Sequence, residues 1–398
     1  MSVQPYVGQK IRRLRLGLGL SQNELAERAN IAAGTVSMVE TGRMDVDDVT
    51  LSFLATVLDC SITYLEEDDA ELSFGTPQLR AYADASQKTV DRTIADSVTA
   101  IGAIRRLNLS LLPDQIPLFE GDVNDEPELE RFAGEVRTAA GLGSMDVVGN
   151  VIRAAERLGC VVLPMDSELG RHLGLSLRID GVPVIRVSRS SENPDLAVPG
   201  DRQRFTVAHE LGHLVLHHDA PQPTSPVEAT KVEKQAHLFA AAFLVPGDAA
   251  LQDLASVGGR VTLSALVKLK EKWGYSVKAF VVRFRQLGVI DDDHARSLYK
   301  QISARRWNKE EPVPVGTETA IWMGKATKRA AREEGPRFLA HASGLNSTYF
   351  TRWSDWQPAT FTTGPMAPVS MLTPRPTSSD ESSSSQLARV SPLPFRKS

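Results

Sequence analysis

Phe205-Thr206-Val207-Ala208-His209-Glu210-Leu211-Gly212-His213-Leu214-Val215-Leu216 decides how the rest of the chain is read. Its apolar residues recur at helical spacing, so Phe205, Val207, Leu211, Leu214 and Leu216 would bury the helix. Residues four apart share a helical face, so His209 and His213 can point at one ion. Glu210, beside the first histidine, can accept a proton from water held at that ion. Gly212 costs the helix about 1 kcal/mol relative to Ala, which close packing of another element near the metal would explain. The stretch predicts a zinc site, and in hydrolases such a site takes three protein ligands and keeps one position for water.

Two routes lead to a third ligand. The longer pattern H-E-x-x-H-x-x-G-x-x-H fails, because Leu216 stands at its Gly position and Asp219 at its last ligand position. The other route is a carboxylate on a later helix, and Glu233 opens Glu233-Lys234-Gln235-Ala236-His237-Leu238-Phe239-Ala240-Ala241-Ala242-Phe243-Leu244. Ala240 to Ala242 offer a small-residue surface on which two helices can lie close, bringing Glu233 to the His209–His213 edge. His237, one turn after Glu233, faces the same way. It has three readings: a donor supporting the ligands, a transition-state stabiliser, or a rival ligand. His217 and His218 end the metal helix, where protonated imidazoles suit the dipole, and read as surface or supporting groups. His172, His294 and His341 read as structural or exposed.

Working outward, the chain has 398 residues, 45 Lys+Arg against 49 Asp+Glu, and 42% hydrophobic residues. That length predicts two or three domains. The near-neutral balance excludes a polybasic protein, so any nucleic-acid contact comes from a local patch. Two cysteines, Cys60 and Cys160, are too few for a disulfide framework. There is no apolar run of about 18 residues, and the opening MSVQPYVGQKIRRLRLG has no secretory apolar core. A cytoplasmic protein without a membrane span is expected. No Gly-rich phosphate loop and no G-x-S-x-G elbow appears.

Before the metal helix, a helix over Val147 to Leu158 leads through Gly159 into an apolar strand, Cys160 to Pro164; a second strand is expected at Val182 to Val187. Ser188 to Gly200 reads as a polar loop. Upstream, Val90, Ile94, Val98, Ile101 and Ile104 mark an amphipathic helix, followed by an acidic loop from Glu120 to Glu130. Lys325, Lys328, Arg329 and Arg332 make a basic helical face, read as solvated or as an auxiliary DNA or partner contact. Thr362 to Ser398 is rich in Ser and Pro and reads as disordered.

The N-terminal block reads as short helices with tight turns. Val7, Ile11, Leu14 and Leu18 line one face of the first, with Arg12, Arg13 and Arg15 on its other side. Ser21-Gln22-Asn23-Glu24 is a capping box that starts the second. Small Ala26 permits close helix approach, Ile31 plugs the turn, and Val36 and Val39 point inward from the third helix, which Gly42 ends. This is helix-turn-helix grammar. The third helix would offer Ala33, Thr35, Ser37 and Arg43 to double-stranded DNA, and Gln22 sits where a phosphate contact is natural. A helical bundle that only dimerises is the alternative, since Glu24, Glu27, Glu40, Asp45, Asp47 and Asp48 offset the arginines.

The phrase SQNELAERANIAAGTVSMVETGR, within Val7 to Leu65, resembles the Xre / lambda-repressor-like family. The pairing FTVAHELGHLVLHH with EKQAHLFAAAFLVP resembles the ImmA/IrrE metallo-endopeptidase family over Met145 to Pro246, and more weakly to Glu311. That resemblance implies His209, His213 and Glu233 as zinc ligands and Glu210 as general base. It implies a protein or peptide substrate, such as a repressor cut under stress. The sequence departs at His237, where that family usually has Asn, which bears on efficiency or substrate orientation. Xre-like readers commonly act as dimers, so a homodimer is implied.

The expected architecture is mainly α with a small β component. An all-α helix-turn-helix bundle (1–69) and a helical linker region (70–142) precede an α+β zincin-like domain (143–311). A helical extension (312–361) and the disordered tail (362–398) follow. The expected function is a DNA-binding transcriptional regulator with a zinc-dependent endopeptidase domain. The alternatives are a transcription factor whose zinc domain only senses a ligand or partner, and a phage-immunity or toxin–antitoxin component acting by binding.

Overall fold

In the computed structural model, residues 5–68, 87–165, 174–190, 197–218, 220–221 and 223–358 are described. The expected tail, Asp219 and His172 lie outside them.

A three-stranded sheet divides the molecule into two apolar cores. β1 (Val161–Met165), β2 (Gly174–Ile179) and β3 (Val182–Ser188) lie in the order β1-β3-β2. β1 runs parallel to β3 with Val161 opposite Val184, and β2 runs antiparallel with Ile179 opposite Val182. Strand side chains alternate faces. Leu175, Leu177, Ile179, Val182, Val184, Val161 and Leu163 enter one core, whereas Val162, Ile185 and Val187 enter the other. Sequence reading found β1 and β3 and missed β2. The missed signal was present: Leu175, Leu177 and Ile179 alternate, and Asp180-Gly181 follows with φ values of 51° and 82°. That dipeptide suits the two-residue turns that close hairpins.

On one side of the sheet lie α1 (Pro5–Gly17), α2 (Gln22–Arg28), α3 (Ala33–Glu40), α4 (Asp48–Val57), α5 (Ile62–Glu66) and α6 (Gln87–Arg106). With them pack α15 (Trp322–Glu334), α16 (Phe338–Ser343) and α17 (Ser347–Ser354). The buried stripe of α6 (Val90, Val98, Ile101, Ile104) faces α1 and β3. At its centre Asp96 accepts from Arg186 Nη1 of β3 at 2.8 Å, from Trp353 Nε1 at 3.1 Å and from Arg352. Burial alone would raise this carboxyl, but Arg352 and Arg186 outweigh it and hold it below the usual range.

The other side holds α7 (Glu126–Ala139), α8 (Val151–Arg157), α9 (Gly200–Leu216) and α10 (Pro226–Leu244). α11 (Gly247–Ser256), α12 (Leu263–Trp273), α13 (Val277–Gln286) and α14 (Asp292–Ala304) complete it. The expected acidic loop ends early: Asp125 caps α7 through the Glu128 N–H, and Pro127 fits the first turn. α7 then packs on α10, and Arg137 donates to the Phe243 carbonyl at 2.6 Å. The N-terminus of α8 is closed by Glu318, which accepts from Val151 N at 2.6 Å and Ile152 N at 3.1 Å. Among the described residues no single helix is long and apolar enough to cross a membrane.

Candidate metal centre and DNA-reading helix

α9 and α10 meet at their two smallest neighbouring surfaces. A Cβ on Gly212 would lie 3.2 Å from the Ala236 carbonyl oxygen and 3.0 Å from Phe239 Cδ1. The residue that costs the helix propensity is the one that lets α10 approach. The close approach is centred on Ala236 rather than on Ala240 to Ala242.

That approach brings Glu233 of α10 to the two histidines of α9. His209 Nε2 and His213 Nε2 are 3.1 Å apart. Glu233 Oε2 lies 3.2 Å from His209 Nε2, and its Oε1 lies 3.5 Å from His213 Nε2. A tetrahedral ion with bonds of 2.0–2.2 Å sets its ligands about 3.3 Å apart. The three side chains therefore have the chemistry and spacing of one divalent ion's donor set. Burial holds His213 toward the neutral form that ligates, against Glu233, which pulls the other way. Burial also opposes ionisation of Glu233, but the His209 and His213 imidazoles beside it outweigh that and hold the carboxyl well below the usual range.

His237 lies beside this set. It forms a second candidate group with His209 and Glu233, whose ligand atoms all fall within 4.8 Å of one another. His237 is exposed, and its ring stacks on Phe205 at 5.5 Å between centroids with a 17° interplanar angle.

Glu210 leaves α9 toward the sheet. Its Oε2 accepts from Ser176 Oγ of β2 at 2.7 Å. Burial pushes its carboxyl up to about 8; the Ser176 hydroxyl pulls down and Glu233 pushes up. Gly174 of β2 lies against it, since a Cβ there would stand 2.8 Å from Glu210 Oε1. Ser176 and Gly174 went unread as site residues because β2 itself was missed.

Of the two readings of His217, the structure favours the supporting group and not the surface one. His217 is 2% exposed, and burial holds it toward neutrality. Its Nδ1 lies 3.1 Å from His213 Nδ1, and its Nε2 lies 3.0 Å from Gln235 Oε1. His294 and His341 are exposed and stand apart from the centre.

In the N-terminal block the capping box forms in both directions: Glu24 N donates to Ser21 Oγ at 3.1 Å, and Ser21 N donates to Glu24 Oε2 at 2.7 Å. Leu25, Ala26, Val36 and Val39 are buried. α3 turns Ala33 outward with Thr35 and Ser37 half-buried, and Arg43 is exposed just beyond its end. Gln22 does not stand free: its Nε2 donates to Glu40 Oε2 at 2.8 Å. Arg15, expected on the outer side of α1, is instead buried and pairs with Glu40. Glu40 thus ties α1, α2 and α3 together.

Residues 155–285 match the family model of the M78 peptidases, the IrrE N-terminal-like domain, and residues 11–65 match a helix-turn-helix family model. No curated protein gives a significant match to the chain. The chain thus joins an Xre/lambda-repressor-like helix-turn-helix to an ImmA/IrrE-type domain: a DNA-binding regulator with a metallopeptidase-like unit.

Proposed function

We propose that the chain is a cytoplasmic transcriptional regulator whose second unit is a zinc-dependent endopeptidase acting on a regulatory protein. The observation that carries the reading is the spacing of His209 Nε2, His213 Nε2 and the Glu233 carboxylate, 3.1 to 3.5 Å apart. These three would hold the ion. Bound there, zinc supplies Lewis-acid polarisation of a carbonyl and acidification of water. Glu210 takes the proton from the attacking water and returns it to the leaving amine. Ser176 orients the Glu210 carboxylate, and its burial lifts its basicity toward neutral pH. The positive ion would oppose that lift.

β2 lies at the sheet edge among the described residues and carries Gly174 and Ser176 against Glu210. An edge strand can bind an extended peptide by main-chain hydrogen bonds, which favours a protein substrate. The reader, acting as a homodimer on double-stranded DNA, would use Ala33, Thr35, Ser37 and Arg43, with Gln22 beside them. Glu210→Gln tests the peptidase: zinc stays bound, and cleavage of the regulatory protein is lost. Unchanged cleavage would reject the assignment.

A second reading is favoured by His237. Should its imidazole fill the remaining coordination position, the site closes as structural zinc sites do, and the unit senses or shapes without turnover. His237→Asn separates the two. Under the endopeptidase reading zinc content is unchanged; under the closed-site reading the variant gains an exchangeable water and binds zinc more weakly.

A further inference from the structure

Behind the metal centre, four side chains continue from His213 to the surface. Its Nδ1 lies 3.1 Å from His217 Nδ1, and His217 Nε2 lies 3.0 Å from Gln235 Oε1. Gln235 Nε2 donates to Asn124 Oδ1 at 3.2 Å, and Asn124 Nδ2 donates to Asp122 Oδ1 at 2.9 Å. His217 and Gln235 are buried, whereas Asn124 and Asp122 reach solvent in the turn before α7.

The far end of this row has only one polarity. An ionised carboxylate accepts and cannot donate. Asn124 must therefore turn its NH2 to Asp122 and its oxygen to Gln235. Gln235 must then give its NH2 to Asn124 and its oxygen to His217. His217 carries its proton on Nε2, and its bare Nδ1 accepts from His213. His213 is left protonated on Nδ1, with Nε2 bare and facing His209 and Glu233. Reversing the row would put the proton on His213 Nε2, where it blocks ligation.

We infer that Gln235, through His217 and anchored by Asn124 and Asp122, is a positioning residue that selects the metal-binding tautomer of His213. The inference rests on the metal reading above. The row does at long range what a carboxylate does directly behind many metal-bound histidines, fixing tautomer and ring orientation.

The test is zinc affinity of the full-length protein by chelator competition, with long-range ¹H–¹⁵N imidazole spectra of the zinc-loaded form. Gln235→Leu removes both links and should weaken zinc by about 10- to 100-fold. Gln235→Glu still accepts from His217 and should restore affinity to within a few-fold of wild type, which a merely space-filling role would not require. Asp122→Asn, at the exposed end, puts a donor where only an acceptor stands. It should cost less than about tenfold and mix the His217 tautomers. In wild type, His217 should carry its proton on Nε2. Wild-type affinity in Gln235→Leu, or a zinc-loaded wild type with the His217 proton on Nδ1, overturns the relay while leaving the metal site standing. A wild-type chain that takes up no zinc overturns both.

Discussion

Two glycines touch the centre from opposite sides, and substituting them should have different consequences. A Cβ on Gly212 meets the Ala236 backbone of α10 at 3.2 Å, so Gly212→Ala asks α10 to give way by a few tenths of an ångström. Overpacking of this kind costs about 1–3 kcal/mol, and alanine's better helix propensity returns about 1 kcal/mol of it. The variant should melt at lower temperature and bind zinc more weakly, because Glu233 retreats with α10; calorimetry and metal titration read both. A Cβ on Gly174 instead meets Thr206 Cγ2 at 2.5 Å and Glu210 Oε1 at 2.8 Å. Gly174→Ala should keep zinc and lose cleavage, by at least about 100-fold if Glu210 is displaced as general base. Equal loss of zinc in both variants would contradict the separate roles given to Gly212 and Gly174. The three proposed ligands were readable in the sequence because His209 and His213 lie within about one helical turn and Glu233 lies in the next strong helix. Ser176, Gly174 and the Gln235–Asn124 contact were not. They depend on sheet pairing and on a contact across 111 residues, which no local spacing reports.

At the scale of elements, α6 is tied to the sheet and to α17 through one buried carboxylate. Asp96 faces Arg186, Arg352 and Trp353, and its folded pKa lies below its unfolded one. In acid the unfolded chain therefore binds the proton more readily than the folded one. The stabilisation is present above the ordinary Asp value of about 3.9 and is lost as pH falls through the lower folded value. Asp96→Asn should lower the melting temperature at neutral pH, leaving the buried Arg186 guanidinium and the half-buried Arg352 without their counter-charge. The gap to wild type should narrow in acid; a gap constant from pH 7 to pH 3 would contradict the account. The helices of this layer were legible from apolar periodicity: Val90, Val98, Ile101 and Ile104 fall on the buried side of α6 as spaced. The pairing of Asp96 with arginines from β3 and α17 was not, because a charge on a helix reads as solvated until a partner is known. The same reason hid the burial of Arg15 against Glu40.

In the whole molecule, the reader and the metal helices lie on opposite sides of one thin sheet. Leu175, Leu177 and Ile179 of β2 pack toward α6 and the reader's core, while Ser176 of the same strand turns to Glu210. Four large apolar side chains of the reader, Met38, Val49, Phe53 and Ile62, remain exposed. DNA binding by this block should weaken with salt, because Arg43 and its neighbours would displace counterions from phosphates. A flat plot of log affinity against log salt would argue against phosphate contacts, and Arg43→Ala should make the slope shallower. The central claim, however, is that two imidazoles and one carboxylate from separate helices hold a single divalent ion, and metal analysis of the purified chain tests it most directly. Wild type should carry about one zinc per chain, and His213→Ala and Glu233→Ala, still folded, should each lose it. Full zinc occupancy in either variant, or none in wild type supplied with zinc, would contradict the account.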